Sequence, residues 1–459
     1  MNEHGSSSVM LSSVILDRIV GLEKVISNTN IEAALEASSK FDSRTCWLNH
    51  KVMMWVVLAM GLFTDLPIRQ VFKACRRIRE GDQLPGRSAL CLARQRLGSQ
   101  PLVELFRMVV RPLANHQTPG AFYKGMRKVG IDGSIYDVPD CEAHQHLGRA
   151  TGSRGEGPFP QVRKLSLVEL GTHVELALTW GGWQDSERAL LPALVDSIPD
   201  DALVMLDAGF YSYEVWKSLH FKHQLLIRVQ KSMVFEPIQV FEDGSYLAKV
   251  YRSHWYRKND SGGILVRVIE YTLDDPQRTG HQEKHVLLTN LLEDKFFPAQ
   301  ELICEYHERW EEELMYDEQK THQDPVRAEK VANFRSETTD GLKQEIYALS
   351  LAHFVTRLLM FQAATARGID VDRLSFKGCF QIIKTRLPEF HPSEGIKRMN
   401  EWFKAVIWEM GQETIPLRRN RINPRVIKRK MSRWNKKLPE HRKIPPLKKR
   451  FEDCIVMLR

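Results

Sequence analysis

The sequence lacks any pair of cysteines at the CxxC spacing of a zinc ribbon or a redox motif. Its seven cysteines (Cys46, Cys75, Cys91, Cys141, Cys304, Cys379 and Cys454) are odd in number and far apart, which argues against both a disulfide framework and a cysteine-based zinc site. Long apolar runs are also missing. The longest, residues 52–63, has 12 residues against the roughly 20 a membrane helix needs, so it reads as a buried core helix. The opening MNEHGSSSVMLSS has no basic-then-apolar order and does not read as a secretory signal. These absences together point to the reducing cytoplasm and to no membrane partner.

Acidic residues are nearly absent from one terminal segment. Between Arg418 and Arg450 there are 15 Lys or Arg and one acid, Glu440, so this segment carries +14 of a chain whose net charge is +9. Such a concentration suits an arm for a polyanion. Prolines at 416, 424, 439, 445 and 446 exclude one continuous helix there. At 459 residues, 43% apolar and 27% charged, the rest is long enough for several domains and a sizeable core.

Residues 1–125 read as helical, with periodic apolar positions and two basic patches, 73–79 and 87–98, that suit either DNA contact or the solvated face of a bundle. From 126 the pattern turns to strands. RKVGIDGSIYDVPD is an apolar run broken by Asp132, and residues 163–180 form a hairpin around Gly171-Thr172. A helix (186–198), the buried strand ALVMLDAGF (202–210), a second helix and a strand at 224–230 come next, which is an α/β order. Residues 232–295 alternate strands and turns as a β insertion; 296–368 return to helices, ending in a long apolar one (341–368) that must be buried; 369–459 form a helical and basic C-terminal segment.

Within 296–368 lies EYHERWEEELMYDEQKTH, residues 305–322, which has no Gly or Pro and reads as one helix. At about 100° per residue from Tyr306, Arg309 falls near −60°, Glu313 near −20° and Lys320 near −40°, while Ile303, Trp310 and Leu314 form a neighbouring apolar stripe between about +40° and +80°. The plain reading is a solvated helix with an ordinary Arg309 and Glu313 pair. The functional one is a metal-binding carboxylate flanked by two cations and a phenol that hold phosphates.

Two more acids stand out. Asp132 lies within the first strand and Asp207 closes a later one as LDAGF; a charge in a buried strand is costly unless paired or metal-bound. Each also fits a strand-end Asp capping a turn. An acid on the first strand, one at the end of the fourth and a Glu on a later helix would place three carboxylates at one sheet edge, where two divalent cations could drive in-line attack on a phosphodiester.

The spacing Tyr306-x2-Arg309-x3-Glu313-x6-Lys320, the block DGSIYDVPD with GRATGSRGEGPFPQVR after it, and LDAGFYS occur in this chain, the tyrosine-led spacing last. They resemble the signature blocks of the insertion-sequence-four family of DDE transposases, and the resemblance covers most of the chain. It implies an RNase H-like α/β core interrupted by the β insertion, with Asp132, Asp207 and Glu313 as catalytic ligands of two Mg²⁺ ions, Mn²⁺ serving as a substitute. It implies that Tyr306, Arg309 and Lys320 contact transposon-end DNA, and that an aromatic of the β insertion stacks on a flipped base. Trp255 is the candidate, beside the plainer reading of a surface or hairpin-packing Trp. Partners would be double-stranded DNA, as terminal inverted repeats and target, and a second copy of the chain in an end-paired homodimer. The location would be a bacterial cytoplasm, on the nucleoid when active. The implied reaction is cut-and-paste transposition: end hydrolysis, hairpin formation by the freed 3′-hydroxyl, reopening and strand transfer.

The Gly-rich loop 148–163 lacks the Gly-Lys-Ser/Thr of a Walker loop; Arg154 and Arg163 there suit phosphate contact, or the loop is a solvated connector. His144 and His146 have no cluster of Cys or His at ligand spacing around them. Two rival functions share these features: a metal-dependent nuclease without strand transfer, against which the Arg309 and Lys320 pairing with Glu313 counts, and a catalytically dead DNA-binding repressor, against which three intact carboxylates count.

Overall fold

The computed structural model describes residues 16–42, 46–152, 155–276, 281–324, 333–389, 395–416 and 449–459. Helices fill the first part: α1 (Asn28–Ala37), α2 (His50–Leu62), α3 (Ile68–Cys75), α4 (Arg87–Leu97) and α5 (Gln100–Val109). Ser27 and Asn49 cap the starts of α1 and α2 by accepting backbone N–H groups of the first turn. The apolar run at 52–63 is buried on every side because α2 lies against a second buried helix far along the chain. Gly61 permits that approach, since a Cβ there would meet the Ala348 carbonyl oxygen at 2.1 Å.

The strands are β1 (Phe122–Tyr123), β2 (Met126–Asp137), β3 (Arg149–Gly152), β4 (Gly155–Glu169), β5 (Val174–Gly182), β6 (Ala202–Leu206), β7 (Gln224–Val229), β8 (Gln239–Val240), β9 (Tyr246–Val250), β10 (Ile264–Leu273), β11 (His285–Thr289) and β12 (Ile455–Met457). All join one sheet of order β3-β4-β2-β6-β7-β11-β10-β9-β8, with β5 on β4, β1 on β2 and β12 on β10. β2, β6 and β7 run parallel; β4 is antiparallel to β2, and β5 is antiparallel to β4. β8 to β11 continue the same sheet, because β11 pairs with β7. The chain returns after the basic segment to add β12, which pairs with β10 through Tyr271 and Met457, Thr272 and Val456, Leu273 and Ile455. The segment 417–448 itself lies outside the described residues.

Both faces of the sheet are covered. Ala202, Val204 and Leu206 of β6 face a core shared with α6 (Glu187–Leu190), the 3₁₀ turn Leu191–Ser197 and α7 (Tyr213–Leu219). Leu203 and Met205 face the other way, toward Leu302 and Ile303 of α9 (Ala299–His307). That two-sided burial explains why β6 reads as an unbroken apolar run. A short helix, α8 (His254–Lys258), sits between β9 and β10.

Residues 305–322 do not form the single helix that their composition favours. α9 ends at His307, a 3₁₀ turn spans Glu308–Trp310, α10 covers Glu311–Asp317, and a π turn spans Glu318–Gln323. Distant groups impose this winding. Lys128, buried on β2, binds Glu305 and Glu308 at 2.6 Å each. At the other end Glu318 is held by His353 and Arg357, Gln319 by Glu175, and Gln323 by the carbonyls of Gly61 and Leu349.

α11 (Thr339–Arg367), α12 (Phe376–Arg386) and α13 (Gly395–Met410) complete the helical layer with α1 to α5. α11 is long and apolar enough to cross a membrane, but 89% of its most apolar stretch is buried inside the fold, against α2 above all. Arg94, from the second basic patch, is also interior: it pairs with Glu345 and donates to Gln344, Ser336 and the Gly341 carbonyl.

Candidate active site

Asp132 and Asp207 are brought together by strand register. β2 and β6 pair in parallel from Arg127 opposite Ala202 to Gly130 opposite Met205, so two residues further on Asp132 is level with Asp207. Adjacent strands lie about 4.8 Å apart and level side chains share a face. Each acid is oriented locally: Asp132 Oδ1 accepts the Gly133 N–H at 2.8 Å, and Asp207 Oδ1 accepts the Gly209 N–H at 2.8 Å. Burial pushes the Asp132 carboxyl up to about 6, opposed by the Gly133 N–H and by Arg309, with Glu187 and Asp207 adding to the rise.

Over this pair lies α10. The glutamate it turns toward this pair is Glu312, fully buried, with Oε2 accepting from Arg309 at 3.0 Å and Oε1 buried without a hydrogen-bond partner. Burial raises its carboxyl well above the usual range; Arg309 opposes that rise, and Asp132 and Asp207 add to it. Gly130 makes the room, because a Cβ there would lie 1.4 Å from Glu312 Oε1. Glu313 is exposed. The 3₁₀ turn accounts for the exchange. Three residues wound at about 120° instead of about 100° rotate the remainder of the helix by about 60°, which carries Glu312 onto the Arg309 stripe and Glu313 off it. The wider π turn then unwinds part of that rotation, and Lys320 is back over β2.

The other signature residues surround the acids. The Tyr306 hydroxyl donates to the Leu206 carbonyl at 3.2 Å, fixing the strand end that carries Asp207, and its ring lies under the Arg309 guanidinium at 5.7 Å. Burial works against the Arg309 charge, yet Glu312, and then Asp132 and Asp207 more weakly, hold it firmly protonated. Lys320 donates to Ser134 Oγ at 2.9 Å and the Ile135 carbonyl at 2.6 Å; burial lowers its pKa, against Asp137. Tyr316 donates to the Asp132 carbonyl at 2.5 Å.

Arg163 pairs with Glu187 at 3.2 Å, and Glu187 also crowds Gly133, so Arg163 reaches the site's edge through a carboxylate. Arg154 lies outside the described residues. Trp255 is 64% exposed on α8, edge-on to Tyr256 at 5.0 Å. His144 is a buried core histidine whose Nδ1 meets the Pro139 carbonyl at 3.1 Å, while His146 is exposed. Glu312, Gly130, Glu187 and Tyr316 were not singled out by the sequence. The run of three glutamates at 311–313 and the glycine two residues before Asp132, on its face of the strand, are the signals that point to the first two.

Two level aspartates and a buried glutamate oxygen with no hydrogen-bond partner are hard oxygen donors, and a cation beside them would offset the burial that raises the Asp132 and Glu312 carboxyls.

Comparison with known proteins bears on the same segments. The family model described as "Insertion element 4 transposase N-terminal" matches residues 17–107, which hold α1 to α4 and most of α5. The transposase InsG for insertion sequence element IS4 of Escherichia coli (strain K12) is 28% identical over 407 residues, 87% of this chain and 89% of that protein. The putative transposase InsZ of the same organism is 27% identical over 215 residues, 46% of this chain and 71% of its own length. Among solved structures, a piggyBac transposase synaptic complex with hairpin DNA covers 85% of both chains at 11% identity, with a TM-score of 0.42. In its N-terminal helices the chain thus matches the insertion element 4 transposase model, and over nearly its full length it is similar to the transposase InsG.

Proposed function

We propose that this chain cuts and rejoins DNA at the ends of an insertion sequence by metal-dependent phosphodiester chemistry, on an RNase H-like core. The order β5-β4-β2-β6-β7, with β2 central, β4 antiparallel to it and β5, β6 and β7 parallel to it, supports that core. The observation that carries the chemistry is the level placement of Asp132 and Asp207 beneath a glutamate-bearing helix. Asp132, Asp207 and Glu313 are the proposed ligands of two Mg²⁺ ions, with Glu312 in the third position in the present winding. Bound there, the ions would activate a water or 3′-hydroxyl and stabilise the leaving oxygen.

The chain's own groups position the DNA. Tyr306 sets the strand end of Asp207, Arg309 supplies a guanidinium beside the carboxylates, and Lys320 supplies an ammonium along β2, so both cations flank a scissile phosphate. Arg163, with Arg154, would border the path of the backbone, and Trp255, exposed on the sheet's extension, would stack on an unpaired base. Two copies acting as a homodimer would hold two ends for cut-and-paste transfer in the bacterial cytoplasm.

The test is cleavage of DNA carrying the element's own terminal repeats, in Mg²⁺ and in EDTA. Metal-dependent nicking at the ends that goes on to hairpins is expected. Cutting without end preference would instead identify a nuclease, and tight binding with no cutting a repressor.

A further inference from the structure

The strand that carries Asp132 runs on past its neighbour. β6 stops at Leu206, level with Ile131, whereas β2 continues to Asp137, so Ser134, Ile135 and Tyr136 lie on β2 beyond the end of β6. Alternate residues of a strand share a face, which puts Ser134 and Tyr136 on the face of Asp132. The signature segment crosses this stretch: Tyr316 reaches the Asp132 carbonyl, and four residues further on Lys320 lies over Ser134.

β2 itself supplies the seat of Lys320. An ammonium has three N–H groups to donate. One goes to Ser134 Oγ at 2.9 Å and one to the Ile135 carbonyl at 2.6 Å, while Nζ stands 4.8 Å over the centre of the Tyr136 ring. Among the described residues no acceptor takes the third. The ring beneath is held in place, because Tyr136 is buried and its hydroxyl donates at 3.1 Å to Gln319, the residue before Lys320. Gln319 in turn donates at 3.0 Å to Glu175, which is paired with Lys164 in the interior. A lysine side chain has much rotamer freedom to lose, and acceptors that pin it before DNA arrives spare that cost at binding. Ser134 also sets a distance, since two residues of strand rise about 6.6 Å from Asp132.

We infer that Ser134 is the positioning residue of Lys320: its hydroxyl holds the ammonium at a set distance along β2 from Asp132, with one N–H turned to a phosphate of the bound strand. The inference rests on the DNA role proposed above for Lys320. Ser134 acts through Lys320, so its effect must vanish when the ammonium is gone.

The test is a double-variant cycle on the full-length protein, reading the binding of fluorescent DNA with the element's terminal repeats in EDTA, where no strand is cut. Ser134 is only partly buried, so Ser134→Ala removes one oxygen without opening a core cavity. It should raise the dissociation constant about tenfold, the size of a lost hydrogen bond to a charged group. Ser134→Thr keeps the hydroxyl and should stay within about threefold of wild type. In a Lys320→Met background, Ser134→Ala should change the constant less than about twofold. Unfolding midpoints measured alongside establish that each variant is folded in the assay. An equal loss from Ser134→Ala in both backgrounds, or wild-type binding by Ser134→Ala where Lys320→Met binds weakly, would overturn the proposal. If Lys320→Met binds end DNA as wild type does, the DNA role of Lys320 fails and the proposal falls with it.

Discussion

Which of two neighbouring glutamates serves the site is decided by helix winding, and the choice can be measured. In an uninterrupted α-helix, Glu313 lies near −20° from Tyr306 and Glu312 near −120°. The 3₁₀ turn Glu308–Trp310 rotates both by about 60°, which at the 5–6 Å radius of a helix with side chains moves a carboxylate by about 5–6 Å. The turn is held by Lys128 on Glu305 and Glu308, and by the i,i+3 pair of Arg309 with Glu312. If binding of metal and DNA draws Arg309 to phosphate, that pair is released and α winding brings Glu313 in. Single-turnover nicking of end DNA should then fall at least about 100-fold in Glu313→Gln, since a ligand-held metal supplies several kcal/mol. Glu312→Gln should change it less than about tenfold. The opposite pattern, with Glu312→Gln dead and Glu313→Gln active, would refute the reasoning and make the present winding the working one.

Gly130→Ala places a methyl group where three atoms of the buried Glu312 side chain now lie, so the metal-free protein should lose about 1–3 kcal/mol of stability, read by denaturant unfolding; an unchanged midpoint would mean that Glu312 leaves readily. Glu345 is fully buried; burial opposes its charge, but Arg335 and Arg94 outweigh that and hold its carboxyl down at about 2. A depressed carboxylate stabilises the fold above its unfolded pKa, here 4.5, and that contribution of about 3 kcal/mol is lost as pH falls toward 2. Glu345→Gln should therefore unfold at lower temperature at pH 7 and show a flatter acid dependence between pH 4.5 and 2, and a parallel profile would count against the pairing. For the basic segment, cutting the chain at about 415 would also remove β12, so Lys and Arg between 418 and 448 should be replaced by Gln in place. Each cation that pairs with a DNA phosphate lowers the salt slope of binding by about 0.9 when it is replaced; an unchanged slope excludes the segment from DNA.

The strand positions of Asp132 and Asp207 were legible, because a lone acid in or at the end of an apolar strand run stands out against its neighbours. The β4-β5 hairpin, the helical start and the buried long helix were legible for the same reason: their signals are local. Strand order was not, since the pairing of β11 with β7 and the return of β12 to β10 join residues far apart in sequence. The broken winding of 305–323 was also hidden. Its composition favours one helix, and the groups that overrule it come from β2, β5, α2 and α11. Arg94 looked like a surface cation for want of any sign of its partners at 336–345.

The central claim is that Asp132 and Asp207 hold the ions that cut DNA, and exchanging oxygen for sulfur tests it most directly. Asp132→Cys and Asp207→Cys should each abolish end cleavage in Mg²⁺, which binds thiolate poorly, and recover it in Mn²⁺, which tolerates a softer ligand. Cleavage in Mg²⁺ by either variant at the wild-type rate would contradict the account, as would a loss in Mg²⁺ that Mn²⁺ does not reverse while the variants remain folded and bound to end DNA.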